Sequence, residues 1–323
     1  MRTTVLALGV SFLACSSNNN STPADAPKAI DASPDAPGSG SGSGSGSAFT
    51  ITGVANGLYW DNSTSTLYFT EKVTGTGNAF AKWTDAGGVE TVASLDAIGS
   101  ANPGDIVKLA DGSFLTPQFS STDANNGIIQ ISGSTATLML ETAGTGSAGP
   151  SPAHYRSIGL ALGSDGTTIY QSSFVKGSPN AGVVLMTTLS NGSAFQDVVA
   201  QSGGGNTIEK LVGLAVESDG EMLVSDQDQG IIWKVDPNGT TTSFATVTKP
   251  DLLTKLPNGD VLTGGGPALR RIAYPAGTVT TVTLPAAITQ IFGVAFDKTN
   301  HRLFVDGGGT AGDVIYIVPY MPN

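Results

Sequence analysis

The side chains of this chain that could do chemistry are few, and most stand at the head of a recurring phrase. Asn56, Asp105, Arg156, Lys210, Asp251 and Phe292 each lie at or beside the start of a hydrophobic strand that follows a loop. An amide, two carboxylates, a guanidinium, an ammonium and a ring around one mouth could hold a small ligand. They could equally pair with one another across it. His154 and Tyr155 precede Arg156 in Pro152-Ala-His-Tyr-Arg156 and reach the same mouth, where loop packing and ligand binding are both open to them. Glu71 and Asp226 stand at the ends of second strands nearby.

Other reactive arrangements are missing or incomplete. His301 reads as a solvated turn residue. No serine stands in a Gly-x-Ser-x-Gly elbow between a strand and a helix, so a hydrolase triad has no support and no catalytic residue is assigned. Asp226-Gln-Asp-Gln-Gly230 begins like a calcium loop but lacks the glutamate at its twelfth position; Asp226 better secures a turn. The triplets Gly203–Gly205, Gly264–Gly266 and Gly307–Gly309 lack the Lys-Ser/Thr and helix of a phosphate loop. The single cysteine, Cys15, excludes a disulfide or thiolate metal site in the domain that follows.

The elements that must position these groups come from a repeat. Hydrophobic strand, tight turn and second strand return as Gly57-Leu-Tyr-Trp-Asp-Asn62, Asp105-Ile-Val-Lys-Leu-Ala-Asp-Gly112 and Gly159-Leu-Ala-Leu-Gly-Ser-Asp-Gly166. They return again as Gly213-Leu-Ala-Val-Glu-Ser-Asp-Gly220, Leu252-Leu-Thr-Lys-Leu-Pro-Asn-Gly259 and Gly293-Val-Ala-Phe-Asp-Lys298. Successive starts are 48, 54, 54, 39 and 41 residues apart, a blade-sized period with strands and no helices between. Asp-Gly and Asn-Gly suit the two-residue turns of antiparallel hairpins. The expectation is an all-β, six-bladed β-propeller over residues 48–323. The sixth repeat is one strand short, and Ala48 to Val54 supplies it, closing the ring and removing free sheet edges.

The first 47 residues are a different kind of chain. Met1-Arg2 and the apolar run Val5 to Ala14 have the form of an export signal, residues 1–14. The run ends in Phe12-Leu-Ala-Cys15, which resembles the lipobox of bacterial lipoproteins. That resemblance implies cleavage before Cys15, lipidation of Cys15 and anchoring in the cell envelope; Ser16 in place of Asp resembles lipoproteins sorted to the outer membrane. Residues 15–47, with Ala-Pro-Asp phrases and Gly-Ser pairs, cannot offset chain entropy and read as a tether reaching roughly 30 Å. No stretch after Val10 holds enough apolar residues to span a bilayer, so membrane contact is expected only through the lipid.

A net charge of −11 argues against nucleic acid, whose phosphates require clustered Lys and Arg. The acidity suits an exported, soluble, monomeric domain.

The phrase Gly213 to Asp226, followed by Ile231-Ile-Trp-Lys-Val-Asp-Pro-Asn-Gly239, resembles the gluconolactonase/regucalcin superfamily and NHL-repeat propellers. In the lactonases a divalent cation sits on the axis, held by a Glu, two Asn and an Asp just ahead of the first four inner-strand phrases; the Asp is also the proposed general base. Here those positions hold Asn56, Gly104, Ile158 and Val212. Only Asn56 offers a side-chain oxygen, so no metal and no cofactor is expected there. The leading expectation is a lipid-anchored, non-enzymatic propeller that presents a face to a small molecule or an envelope protein. The alternative is a divergent lactonase or hydrolase with a displaced site, using His154 or Asp251; a purely structural envelope component is a third reading.

Overall fold

The computed structural model describes residues 47–73, 75, 77–99, 102–119, 126–143, 155–190, 193–203, 205–284, 288–308 and 313–322. All of them fall in the compact unit Gly44–Asn323; Met1–Ser43 and the expectations that rest on it, Cys15 included, lie outside the described residues.

The strands form six blades. Blade 1 is Val54–Asp61, Thr66–Lys72, Ala79–Thr84 and Gly88–Ser94, and blade 4 is Leu211–Val216, Met222–Asp226, Ile231–Val235 and Thr241–Thr246, each paired in chain order. Blade 6 takes Val294–Asp297, Arg302–Asp306 and Val314–Pro319 from the end of the chain and its outer strand, Ser47–Thr50, from the beginning. The propeller and its N-terminal closure are as the repeat implies. The closing strand is shorter than the sequence suggested, because Val54 already belongs to blade 1. The chain crosses between blades at Gly53, whose amide donates to Glu71 Oε1 and where a Cβ would lie 2.2 Å from the Lys72 carbonyl. Blades 2 and 3 depart from the simple scheme. Their outer strands, Thr135–Ala143 and Ser193–Gln201, pair in parallel and fuse the two blades into one sheet.

The recurring Asp explains the turns. At Asp111, Asp165 and Asp219 a carboxylate oxygen accepts the amide two residues on, and Gly220 takes φ +87° to complete its turn. The seam between blades 6 and 1 is reinforced twice. Phe49 stacks on Trp83 with centroids 4.9 Å apart, and Arg302 binds Asp85 through both terminal nitrogens while bonding Asp297 through Nε.

At the end of the propeller where the inner strands begin, the blades are drawn together by glycine. A Cβ on Gly57 would lie 2.2 Å from the Gly104 carbonyl oxygen, and one on Gly104 would lie 2.1 Å from that of Ile158. Similar approaches join Gly159 to Val212, Gly213 to Asp251, Gly264 to Ile291 and Gly293 to Asn56, so the chain of contacts runs round all six blades. Buried hydroxyls staple this collar. Ser225 Oγ accepts the Gly213 amide and donates to the Asp251 carbonyl of the next blade, both at 2.7 Å. Ser172 and Thr70 make the same pair of bonds in blades 3 and 1. Ser225→Ala leaves a buried amide and a buried carbonyl unpaired and is expected to cost about 1–3 kcal/mol in urea unfolding. Ser225→Thr restores the hydroxyl found as Thr70 in blade 1, so it should recover most of that loss.

Candidate functional site

Several of the residues expected at the mouth lie near the start of the inner strands, bonded to each other or to main chain. Asn56 Nδ2 donates to the Pro103 carbonyl at 2.6 Å. Lys210 Nζ donates to Gln227 Oε1 at 2.6 Å, and Gln227 Nε2 donates to Asp251 Oδ2 at 3.3 Å, so the ammonium and the carboxylate are linked through an amide. Arg156 is buried with its guanidinium 5.4 Å from the Phe119 ring, and Lys210 Nζ lies 5.9 Å from that of Phe174. Phe292 is half-buried. The Tyr155 backbone opens the inner strand Tyr155–Leu162, and His154 lies outside the described residues. Gln227, which joins Lys210 to Asp251, carries no signal in the sequence that marks it.

Two inlet carboxyls have altered proton affinity. Burial pushes Asp251 up to about 7, against the pull of the Leu252 amide and the Lys210 charge. Burial also pushes Asp105 up to about 7, although its side chain keeps one edge on the tunnel; amides of Ile106 and Leu160 oppose the shift. Asp226, by contrast, accepts from the Glu209, Lys210 and Gln229 amides and from Trp233 Nε1, the turn-securing role read from the sequence.

The cation of the resembled lactonases does not fit the four positions ahead of the inner strands. Gly104, Ile158 and Val212 bring no side-chain oxygen, the Ile158 carbonyl accepts the Asp105 amide, and the Val212 carbonyl accepts Ser172 Oγ. Those main-chain oxygens hold the blades together. Among the described residues no group of three or more His, Cys, Asp or Glu side chains is gathered as a metal-binding set.

The open space lies toward the other end. A cavity of about 600 Å³ runs from the middle of the inner strands to the turns that end them, with walls from all six blades. Tyr59, Ala161 and Phe296 contribute apolar surface, and Lys108, Lys255 and Lys298 line it as well. Two of these lysines are held from behind. Lys108 Nζ pairs with Asp61 at 2.6 Å, and Lys255 Nζ with Glu217 at 2.9 Å and with the Val216 carbonyl. Of the inlet residues named from the sequence, Asp105 lines this cavity. The lysines could have been flagged by their place near inner-strand ends, but nothing local marks them as facing the axis.

The sequence matches no protein-family model and no curated protein. Its fold is similar to that of a gluconolactonase from Xanthomonas campestris, with TM-score 0.63 and 16% identity over 85% of this chain and 89% of that one. It is also similar to a calcium-binding protein, regucalcin, from Agrobacterium tumefaciens, with TM-score 0.59 and 14% identity over 84% and 93%. Virginiamycin B lyase from Staphylococcus aureus gives TM-score 0.55 and 12% identity over 86% and 99%. At these identities the likeness is one of fold. The chain has the six-bladed propeller fold, which it shares with a gluconolactonase and a lyase alike.

Burial of Asp251 makes the stability of the fold depend on pH. The carboxyl's folded-state affinity for the proton exceeds that of the unfolded chain, so the stabilisation is full below about pH 4 and is lost as pH rises through about 7. Melting midpoints are expected to fall between pH 5 and pH 8. Asp251→Asn should remove up to about 3 kcal/mol of the stability change over that window. An unchanged slope in that variant would assign the pH dependence to other groups.

Proposed function

We propose that the protein is a lipid-anchored, non-enzymatic propeller of the cell envelope that binds a small molecule in its central cavity. The observation that carries this reading is the cavity itself: walls from six blades, apolar side chains, lysines at its margin and a volume suited to a small ligand. The chemistry that would make it a metal-dependent hydrolase lacks its ligand set at the inlet, since Gly104, Ile158 and Val212 stand where oxygens would be needed. The anchor rests on Phe12-Leu-Ala-Cys15 and the low-complexity tether that follows it.

One observation favours the alternative, a lactone hydrolase with a displaced site. Asp105 borders the cavity with a proton affinity near neutrality, the value a general base would need. One experiment separates the two readings. The chain is incubated with an envelope small-molecule extract and retained compounds are identified by mass spectrometry, while a lactone panel is assayed with calcium, zinc or manganese. Binding without turnover is expected, and Ala161→Trp, which puts an indole into the cavity, should abolish retention. Lactone hydrolysis that disappears in Asp105→Asn would instead establish the enzyme.

The anchor has its own test. Growth of an expressing bacterium with labelled palmitate should mark the wild-type chain and leave Cys15→Ser unmarked. Equal labelling of the two would remove the lipoprotein reading.

A further inference from the structure

An acid stands at or next to the end of the second strand in three blades: Asp226 ends it in blade 4, Asp306 ends it in blade 6, and Glu71 precedes the final Lys72 in blade 1. The three are treated very differently. Glu71 accepts the Gly53 amide, and Asp226 accepts three amides and an indole N–H. Asp306 is completely buried, yet among the described residues neither of its oxygens has a hydrogen-bond donor of good geometry. Asp313 immediately precedes the returning strand of the same hairpin and is 3% exposed. Its Oδ1 accepts the Val314 amide, but Oδ2 has no such donor. Asp313 is close enough to raise the proton affinity of Asp306, the Gly308 amide opposes that rise, and Asp251 adds a further negative field from blade 5.

Three buried acceptor oxygens without well-aligned donors on two neighbouring acids form an arrangement that folding should disfavour unless positive charge is supplied. No ion pair to either acid is found among the described residues. The backbone is nevertheless shaped to keep the pair together. A Cβ on Gly308 would lie 1.4 Å from Asp313 Oδ1, so only glycine lets that carboxylate lie against the hairpin, and the Gly307 amide closes the strands onto the Val314 carbonyl. We propose that Asp306 and Asp313 together bind one hard divalent cation, of which calcium is the best fit. Both ligands are carboxylate oxygens, their two charges match the ion, and calcium accepts irregular shells completed by main-chain oxygens and water.

The site is independent of the cavity proposed above, whose walls include neither residue. Its place gives it a structural role. The Asp313 amide donates to the Gly53 carbonyl and the Asp313 carbonyl accepts the Ile51 amide, so Asp313 is bonded to the chain that closes the ring. A cation held there would tie the closing segment to blade 6. A single proton shared between the acids is the competing way to remove the repulsion, consistent with burial and Asp313 both raising the Asp306 proton affinity.

The test uses the full-length chain, stripped with chelator and dialysed, at pH 7.5. Calorimetric titration with calcium chloride should give one site per chain, and millimolar calcium should raise the melting midpoint by roughly 3 °C or more. Asp306→Asn and Asp313→Asn should each abolish both signals while keeping the wild-type circular dichroism. Magnesium and manganese arms report how selective the site is for calcium, and a larger calcium shift at pH 8 than at pH 5 is expected from competition with the proton. Absence of binding heat and of any midpoint shift in the wild type overturns the proposal in favour of the shared proton. A calcium shift that persists in both variants overturns it in favour of another site.

Discussion

Everything about this propeller depends on how closely six inner strands can approach one axis. At the inlet the approach is limited by main chain meeting main chain: Gly57, Gly104, Gly159, Gly213, Gly264 and Gly293 each face a carbonyl of the neighbouring blade, at distances that would leave no room for a Cβ. Close approach would strand polar groups unless they were bonded, and Thr70, Ser172 and Ser225 do this by taking an amide from their own blade and giving a proton to the next. Blade 5 follows a local variant, in which Thr263 accepts the Asp251 amide and donates back to the Asp251 carbonyl. The phrase Gly-Leu-Ala is therefore a packing requirement before it is anything functional.

That collar accounts for the chemistry of the two ends of the tunnel. At the inlet, carbonyls that could have faced a cation are used in holding blades together, and the side chains there bond along short chains such as Lys210–Gln227–Asp251. Toward the turns the six strands enclose a cavity, with lysines at its margin and their carboxylate partners behind them. The same fold appears around different reactions in the gluconolactonase and the lyase it resembles, which is possible because the collar fixes geometry without fixing the side chains that point past it.

The acids show how one repeat position acquires different roles. Asp226 is satisfied because the loop ahead of its own inner strand and the following turn both aim amides at it. Asp306 occupies the corresponding place in blade 6, where the hairpin returns another acid and no well-aligned donor. Burial of this kind is costly for an unpaired charge, so the difference between the two blades reports a local need for a counter-charge.

The sequence by itself determined the repeat, the turn chemistry and the ring closure. Those features are local: an Asp that caps the amide two residues on, a glycine at positive φ, an alternation that pairs hairpins, and a sixth repeat lacking one strand. Which residues stand ahead of the inner strands was legible for the same reason, since position within the repeat sets position along a strand. Only the tertiary structure decided what those residues touch. It placed Gln227 between Lys210 and Asp251, fused blades 2 and 3 through parallel outer strands, put the cavity toward the turns, and satisfied Asp226 while leaving Asp306 facing Asp313. Each of these joins segments from different blades or from the two sides of a hairpin. Turn propensity and strand alternation carry no information about which side chains meet when six repeats close on one axis.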